Sequence, residues 1–136
     1  MADTQETVER RRRQRFVAKR RGEYCFWARI GERRLPLLDL SLEGFGVAAE
    51  SAPVPGESFG FVLERFGVPD RIAGQARVMN RFETDGGTQV GVLFEGLSEA
   101  DRERLKDWLT AHVLINASVP ITERDASNIV SGPSLV

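Results

Sequence analysis

The sequence has very little of the chemistry that most enzymes use. It contains one histidine, His112, and one cysteine, Cys25, and neither a phosphate-binding G-x-x-x-x-G-K-[S/T] loop nor a G-x-G-x-x-G fingerprint. His112 lies in a predicted packing helix and Cys25 in a predicted strand, which is a poor set for a catalytic triad, a reactive thiolate or a zinc site. We therefore predict a protein that is not an enzyme, with no catalytic residues, no metal and no cofactor.

Long apolar runs are also missing. No segment approaches the roughly 18 consecutive apolar residues that a membrane-spanning helix needs, and the arginine-rich start lacks the apolar stretch of a secretory signal. A lone cysteine cannot form an internal disulfide, which is typical of a reducing compartment. With 136 residues, 41% of them hydrophobic and 29% charged, the composition is that of one globular domain. We expect a cytoplasmic protein without membrane insertion.

The charges are divided unevenly along the chain. Residues 10–21 carry eight basic side chains and no acidic one, whereas the rest of the chain carries eleven basic and twenty acidic side chains. A basic N-terminal arm (residues 10–21) is thus attached to an acidic body, and an anion would be attracted to the arm. The alternative is that the arm is solvated and docks on its own acidic body.

The body reads as a series of short β-strands. Alternation of apolar and polar residues, interrupted by turn residues, predicts strands over residues 23–30, 33–38, 44–49, 57–66, 71–82 and 88–94. Asp85-Gly86-Gly87 is a strong hairpin signal between the last two strands. Since no helix separates these strands, we predict a mainly β protein with an antiparallel barrel or sandwich.

One helix is predicted after the strands, over residues 98–113. Ser98 begins a capping-box-like segment, and Leu105, Trp108 and Leu109 recur at helical spacing, so Trp108 is expected to anchor the helix in the core. The predicted organisation is a disordered segment 1–9, the arm 10–21, a barrel with its closing helix 22–115, and a tail 116–136. We interpret the tail as a flexible end or a partner-binding segment.

Two motifs suggest a binding site. Residues 39–44 have the spacing D-x-S-x-x-G, with Asp39, Ser41 and Gly44 providing an acceptor, a hydroxyl and a turn. The arm provides arginines, which pair bidentately with phosphate or with the O6/N7 edge of guanine and stack on purines. A carboxylate such as Asp39 suits the side of guanine that donates hydrogen bonds. The combination favours a guanine nucleotide that carries phosphate.

These motifs resemble those of the PilZ domain family, whose members bind the bacterial second messenger cyclic di-GMP. The family pattern is R-x-x-x-R in a flexible N-terminal segment followed by [D/N]-x-S-x-x-G, and here Arg11–Arg15 and Asp39–Gly44 supply both. The resemblance extends over about residues 10–110 and includes the Pro55-Gly56 turn, the strand over residues 90–94 and the Leu97-Ser98 helix start. The family fold is a six-stranded antiparallel β-barrel with a C-terminal helix, which agrees with the number of predicted strands.

The resemblance implies a role for each motif residue. Arg11 and Arg15 would clamp cyclic di-GMP, Asp39 would read a guanine edge, Ser41 would bond base or phosphate, and Gly44 would shape the turn. Two neighbouring arginines, Arg10 and Arg12, are possible accessory ligand contacts. The alternative for Asp39 and Ser41 is a turn in which their side chains satisfy local backbone groups.

The functional hypothesis is a stand-alone bacterial receptor. Cyclic di-GMP would order a mobile arm over the barrel and create a surface for an unidentified downstream protein partner, in motility or biofilm regulation. One alternative is a nucleic-acid binder that uses the basic arm alone, although the acidic body would repel a polyanion. Another is a PilZ-type interaction module that binds no ligand. R-x-x-x-R is a weak motif by itself, since Arg29/Arg33 and Arg77/Arg81 also match it inside predicted strands.

Overall fold

The computed structural model describes residues 13–48, 50 and 55–133. These residues contain ten β-strands and two α-helices. The strands are β1 (Phe16–Val17), β2 (Lys19–Arg20), β3 (Glu23–Tyr24), β4 (Phe26–Ile30), β5 (Arg33–Pro36), β6 (Asp39–Leu40), β7 (Gly44–Ala48), β8 (Ser58–Arg65), β9 (Val68–Thr84) and β10 (Gly87–Leu97), and the helices are α1 (Glu99–Asn116) and α2 (Glu123–Ser131).

Eight of these strands form one antiparallel sheet in the order β1-β6-β7-β10-β9-β8-β4-β5, and β2 pairs with β3 separately. The sheet curls into a half-barrel. The predicted mainly β, antiparallel, barrel-like fold is therefore confirmed. The number of strands is larger than six because four of them are only two residues long. Of these, β1 and β2 belong to the arm, β3 is separated from β4 at Cys25 within the predicted strand 23–30, and β6 begins the D-x-S-x-x-G motif.

The concave side of the sheet is filled by apolar side chains and covered by α1. Phe26 lies with its ring centroid 6.2 Å from that of Trp108, and Phe45 stacks edge-on against Phe61 at 5.7 Å. Leu105, Trp108 and Leu109 are all buried, so one face of α1 completes the core. The expectation that Trp108 is a core anchor is confirmed.

The hairpin of β9 and β10 contains an irregularity that matters for the site. Gly91 pairs with Asn80, but the next residue, Val92, pairs with Val78, so Met79 is an extra residue in β9. Such a β-bulge bends its strand and re-aims the side chains beside it. At the tip, Gly87 has φ of +118° and closes the turn that Asp85-Gly86-Gly87 predicts.

Helix α1 begins as predicted and ends three residues later. The Ser98 side chain accepts a hydrogen bond from the Asp101 N–H at 3.1 Å, which caps the first turn. Glu99 and Asp101 in that turn suit the positive end of the helix dipole. Neither of the helices in the described residues is both long and apolar enough to cross a membrane.

The segment after residue 116 differs from the predicted flexible end, because it contains helix α2. The Thr122 side chain accepts from the Asp125 N–H at 3.0 Å while the Asp125 carboxylate accepts from the Thr122 N–H at 3.2 Å, a complete capping box. Ala126 and Val130, four residues apart, are both fully buried. Two small apolar residues are a weak sequence signal for a helix, but their burial against α1 is enough to hold α2 on the body.

The described part of the arm, residues 13–21, also differs from the free arm that the charge pattern suggests. Phe16 and Val17 pair with Leu40 and Asp39 as β1, and Ala18 is completely buried. The physical reason is that two apolar side chains inside the basic run pack on the body, since Ala18 is buried and Phe16 lies against the core, whereas Val17 is 67% exposed. The basic residues of the described part of the arm, Arg13 to Arg21, therefore flank an anchored strand.

Candidate ligand-binding site

The site begins with an ion pair between the two motifs. Arg15 Nη1 donates to Asp39 Oδ1 at 2.9 Å, although the residues are 24 positions apart in sequence. The pairing of Val17 with Asp39 in β1 and β6 holds the arm beside the motif and delivers the Arg15 side chain to the carboxylate. Both side chains keep solvent access, 41% for Arg15 and 22% for Asp39, so a ligand can reach either one.

Asp39 has room for its carboxylate because its partner across the strand pair is a glycine. Asp39 pairs with Gly46 in β6 and β7, and a Cβ at Gly46 would lie 2.9 Å from Asp39 Oδ1. That distance is too short for a real contact, so a side chain at position 46 would displace the carboxylate. The second glycine of Gly44-Phe45-Gly46 is thus explained by the close approach of the Asp39 carboxylate.

Ser41 lies inside the turn and does not face solvent. Its residue is 1% exposed, and its Oγ accepts hydrogen bonds from the N–H of Glu43 at 3.1 Å and of Gly44 at 3.3 Å. The turn is closed further by the Ser41 N–H, which donates to the Gly44 carbonyl at 2.9 Å. In this structure Ser41 shapes the motif turn, as in the alternative considered from the sequence, and its ligand contact stays a prediction.

Gly44 is required by the closeness of β7 and β10. A Cβ built on Gly44 would overlap the carbonyl oxygen of Val92. The Glu43 carbonyl accepts from the Phe94 N–H at 2.8 Å, which fixes the motif turn against the same strand. Gly44 therefore sets the distance between the D-x-S-x-x-G turn and the sheet, and its effect on a ligand would be through that position.

A groove of about 370 Å³ lies beside the ion pair, and we call it the motif groove. Its volume falls in the range of small-molecule sites, about 300–1,000 Å³. The arm, the motif turn and the bulged hairpin each contribute to its lining, which comprises Arg13, Arg15, Glu43, Met79, Asn80, Gly91, Val92 and Leu93. Of the predicted ligand-binding residues, Arg15 lines this groove and Asp39 bonds Arg15 at its edge.

Sequence reasoning missed the contribution of the bulged hairpin. Asn80 Oδ1 occupies the place that a Cβ on Gly91 would take, and that same place is 3.8 Å from Arg15 Nη2. A glycine in the middle of the apolar run over residues 90–94 is the one sequence signal that could have indicated a close approach here. The asparagine opposite it can be identified only from the register of the bulge.

Glu43 is a further residue that the sequence did not single out. Its carboxylate accepts a hydrogen bond from the Arg13 N–H at 3.0 Å, so it holds the arm where the motif groove opens. Arg10, Arg11 and Arg12 lie outside the described residues. The predicted clamp is therefore described at Arg15 alone, with Arg13 beside it.

The two residues that could have suggested an enzyme are both structural. His112 Nε2 donates to the Val17 carbonyl at 2.8 Å, which leaves Nδ1 as an acceptor for the Asn116 amide at 3.2 Å. Burial lowers the pKa of His112 and raises the pKa of the buried Cys25 thiol, whose sulfur lies 3.9 Å from His112 Nδ1. The described residues contain no group of three or more His, Cys, Asp or Glu placed to hold a metal ion.

A larger groove of about 530 Å³ lies between the arm and the two helices, and we call it the apolar groove. Gln14, Phe16 and Val17 line it on one side, and residues of α1, of the connection 117–121 and of α2 line the other. Arg13 and Arg15 line the motif groove while Gln14 and Phe16 line the apolar groove, as expected for an extended chain whose side chains alternate. The arm thus separates the two grooves.

Comparison with known proteins adds the family. A model of the PilZ domain matches residues 9–111, which includes both motifs. A search of proteins with curated function finds no match to this sequence.

Solved structures with the same fold include an inhibitor of motility from Bacillus subtilis (MotI/DgrA) and the PilZ domain of YcgR from Escherichia coli with c-di-GMP. The Bacillus protein has a TM-score of 0.63 and 18% identity over 79% of this chain and 53% of its own. The YcgR domain has a TM-score of 0.57 and 21% identity over 75% of this chain and 90% of its own. This chain therefore spans about half the length of the Bacillus protein, and at these identities the similarity establishes a shared fold.

Proposed function

This chain belongs to the PilZ domain family, and from that premise we propose that it is a bacterial receptor for cyclic di-GMP. One relative of the same fold, the YcgR domain, is solved with that ligand. The receptor would act in the cytoplasm and transmit the signal to a downstream protein in motility or biofilm regulation. Another protein of this fold is an inhibitor of motility, which supports the choice of pathway.

The observation that carries the proposal is the ion pair between Arg15 and Asp39. It joins the R-x-x-x-R arm to the D-x-S-x-x-G turn at 2.9 Å, beside a groove of suitable volume. A guanidinium and a carboxylate side by side offer donors to phosphate or to guanine O6/N7, and acceptors to guanine N1–H and N2–H₂. A basic arm without Asp39 would offer only the donors and would lack the acceptor for guanine N1–H and N2–H₂.

In the proposed complex, Arg15 exchanges its bond to Asp39 for bonds to the ligand. Arg11 reaches the ligand from the preceding part of the arm, with Arg10 and Arg12 as accessory contacts. Asp39, once released, accepts from a guanine edge. Ser41 and Gly44 hold the turn in place, and Asn80 provides an additional amide from the bulged hairpin.

The signal would pass through the arm because the arm lines the motif groove on one side and the apolar groove on the other. Movement of Arg13 and Arg15 onto a ligand in the motif groove would shift Gln14 between them and Phe16 after them, both of which line the apolar groove. Arg13 also pairs by backbone with Pro133 at the end of α2. A ligand bound on one side of the arm therefore changes the surface on the other, where a partner would detect it.

Isothermal titration with cyclic di-GMP tests the proposal, with GTP and cyclic di-AMP as controls. We expect saturable binding at micromolar affinity or tighter, equivalent to about 8 kcal/mol of binding free energy. Asp39→Asn and Arg15→Gln should each weaken binding at least about tenfold. Asp39→Asn removes the ionic acceptor for the guanine edge, and Arg15→Gln removes the ionic donor to phosphate or to guanine O6/N7. Arg29→Gln is the matched control, since Arg29 has the same R-x-x-x-R spacing but lies on β4, toward the far end of the sheet.

The same variants separate this function from nucleic-acid binding. If the arm binds a polyanion, Arg15→Gln and added salt should both lower the affinity. Asp39→Asn should leave that affinity unchanged or raise it. Absence of heat and of any displacement at about 100 μM cyclic di-GMP would refute the receptor proposal. It would favour an interaction module that uses the fold without the ligand.

A further inference from the structure

A second cluster of charges, unrelated to the motif groove, lies on the convex face of the sheet. Glu64 is only 7% exposed in its side chain, and three arginines surround its carboxylate. Arg29 Nε donates to Oε2 at 2.6 Å, Arg34 Nε donates to Oε1 at 2.7 Å, and Arg71 Nε lies 3.3 Å from Oε2. We call these four residues the Glu64 cluster.

The strand register explains why these side chains meet. Glu64 on β8 is paired with Arg71 on β9 and with Trp27 on β4, and Arg29 on β4 is paired with Arg34 on β5. Their alternation with the buried residues Ala28, Leu35 and Leu63 places them on the convex face. The sheet order puts β4 and β5 at the end opposite to β1 and β6, and the Arg15–Asp39 ion pair lies at the β1 and β6 end.

The cluster has more positive than negative charge. Three guanidinium groups share one carboxylate, and the bonds to them lower the pKa of Glu64 to about 2, so it stays ionised at neutral pH. The nearby Asp101 is bonded to another arginine, Arg104, at 2.9 Å. A net charge of about +2 therefore remains on the cluster in a chain whose overall charge is −1.

The geometry of Arg29 and Arg34 leaves their outer nitrogens for another acceptor, whereas Arg71 Nη1 donates to the Pro69 carbonyl at 3.0 Å. Each of the three arginines meets Glu64 through Nε, and the side chains of Arg29, Arg34 and Arg71 are about half exposed. The guanidinium carbon of Arg34 also lies 4.2 Å from the centre of the Trp27 ring, which fixes its plane. Glu64 and Trp27 thus hold the guanidinium forks in place, which reduces the entropy lost when an anion binds.

A shallow depression of about 570 Å³ continues from Arg29 along the same face. It is lined mainly by residues with small or apolar side chains, which let another chain approach the sheet closely, and these are Gly31, Gly60, Phe61, Val62, Ala73 and Gly74. A positively charged cluster beside a small apolar shelf suits a short segment that combines carboxylates with an apolar side chain.

We propose that the Glu64 cluster and the adjoining shelf bind an acidic segment of a partner protein. The carboxylates of that segment would accept from the outer nitrogens of Arg29 and Arg34, and an apolar side chain between them would lie on Val62 and Ala73. The site is too small to favour a nucleic acid, because its regular phosphates would extend past the cluster, and the chain carries nineteen acidic residues besides Glu64. The proposal goes beyond ligand binding and does not depend on it.

Nuclear magnetic resonance titration tests this surface directly. The probe is the synthetic peptide acetyl-EELEE-amide, added to ¹⁵N-labelled wild-type protein, with acetyl-QQLQQ-amide as the neutral counterpart. We expect saturable shifts of the Nε–Hε signals of Arg29 and Arg34 and of the backbone amides of Val62 and Ala73. The neutral peptide should cause none. Because the wild-type map needs no variant, the result stands even if a substitution impairs folding.

Two variants measure the contribution of the cluster. Arg29→Gln, which leaves Glu64 with two arginines, should weaken the acidic peptide roughly fivefold to tenfold and leave cyclic di-GMP binding unchanged. Arg77→Gln is the matched control, since Arg77 is also a half-exposed strand arginine but is paired one-to-one with Glu95 at 2.9 Å. Asp39→Asn should weaken cyclic di-GMP binding and leave binding of the acidic peptide unchanged. Failure of this proposal and failure of the receptor proposal can therefore be told apart.

Four outcomes would overturn the inference. Shifts confined to the arm would place the acidic peptide on Arg13 and Arg15 instead. An equal loss of affinity for the acidic peptide in Arg77→Gln and Arg29→Gln would show that net charge, and not the Glu64 cluster, determines the binding. Tighter binding of a short DNA duplex at the same Nε–Hε signals would assign the surface to nucleic acid. Absence of saturable shifts would remove the site altogether.

Discussion

Ser41 shows at the scale of one residue how a motif position can act through structure. Its buried Oγ accepts from two backbone N–H groups of the motif turn, at 3.1 and 3.3 Å. Ser41→Ala would leave both donors without that acceptor, and we expect a loss of about 1–3 kcal/mol in the free energy of unfolding. Urea denaturation measures it, and Ser118→Ala, at an exposed serine of the connection between the helices, is the control with an expected change under about 0.5 kcal/mol. Unchanged stability in Ser41→Ala would contradict the structural role.

Gly44 gives the second prediction at this scale. A methyl group there would overlap the Val92 carbonyl, which belongs to backbone and cannot rotate away. We expect Gly44→Ala to destabilise the protein by more than about 2 kcal/mol, because strands β7 and β10 must separate. Gly96→Ala is the matched control in β10, since nothing lies within 4 Å of its added Cβ. Equal midpoints for the two variants in a urea titration would refute the close-approach argument.

At the scale of elements, α2 carries a prediction about the C-terminal segment. Val130 is fully buried, whereas its neighbour Ile129 is 39% exposed and lines the apolar groove. Val130→Ala should lower the free energy of unfolding by about 2 kcal/mol through lost burial and the resulting cavity. Ile129→Ala should change it by less than half as much. If both variants retain wild-type stability, α2 does not stabilise the folded body.

The elements also show what the sequence could and could not predict. The alternation over residues 26–30 and the capping residue Ser98 identified β4 and the start of α1, because each signal is local to the element it specifies. The short strands β1 and β6 escaped prediction, since two residues show no periodicity and their pairing joins positions 24 apart. Helix α2 escaped for a related reason: only the surface of α1 makes Ala126 and Val130 a buried face.

The candidate site likewise contains residues that the sequence could indicate and residues that only the structure identifies. Asp39, Ser41 and Gly44 could be chosen from the sequence because one contiguous motif contains them, and the structure brings Arg15 to Asp39. Asn80, Met79 and Glu43 could not be chosen, because the bulge in β9 and the bond from Glu43 to the Arg13 N–H arise only when distant segments pair. The Glu64 cluster was equally hidden, since its arginines come from three strands.

For the whole molecule, the charge pattern indicates a basic arm on an acidic body but does not indicate how the two are held together. His112 provides part of the answer, because its Nε2–H bonds the Val17 carbonyl of the arm from α1. Burial lowers the pKa of His112 below its ordinary value of 6.5, and the positive charge of Arg65 acts in the same direction. The neutral ring is therefore the form that the folded state favours.

This makes the stability of the whole molecule dependent on pH. Below about pH 6.5 the unfolded chain takes up a proton at His112 more readily than the folded chain does, so acidification favours unfolding. The stabilisation is complete above 6.5 and is lost as pH falls toward the lowered folded pKa. Glu64 adds a second loss as pH falls from its ordinary value of 4.5 toward about 2, where its bonds to the arginines end.

We expect urea midpoints to be level near pH 7.5, to decline from about pH 6.5 downward, and to decline again below about pH 4.5. His112→Gln should remove the first decline while leaving the second, since the glutamine amide does not titrate in this range. Glu64→Gln should do the opposite, at the expense of lower stability at neutral pH because three arginines lose their shared acceptor. A wild-type midpoint that is constant between about pH 7.5 and 5, with His112→Gln showing the same flat profile, would exclude His112 as the source of the first decline in stability.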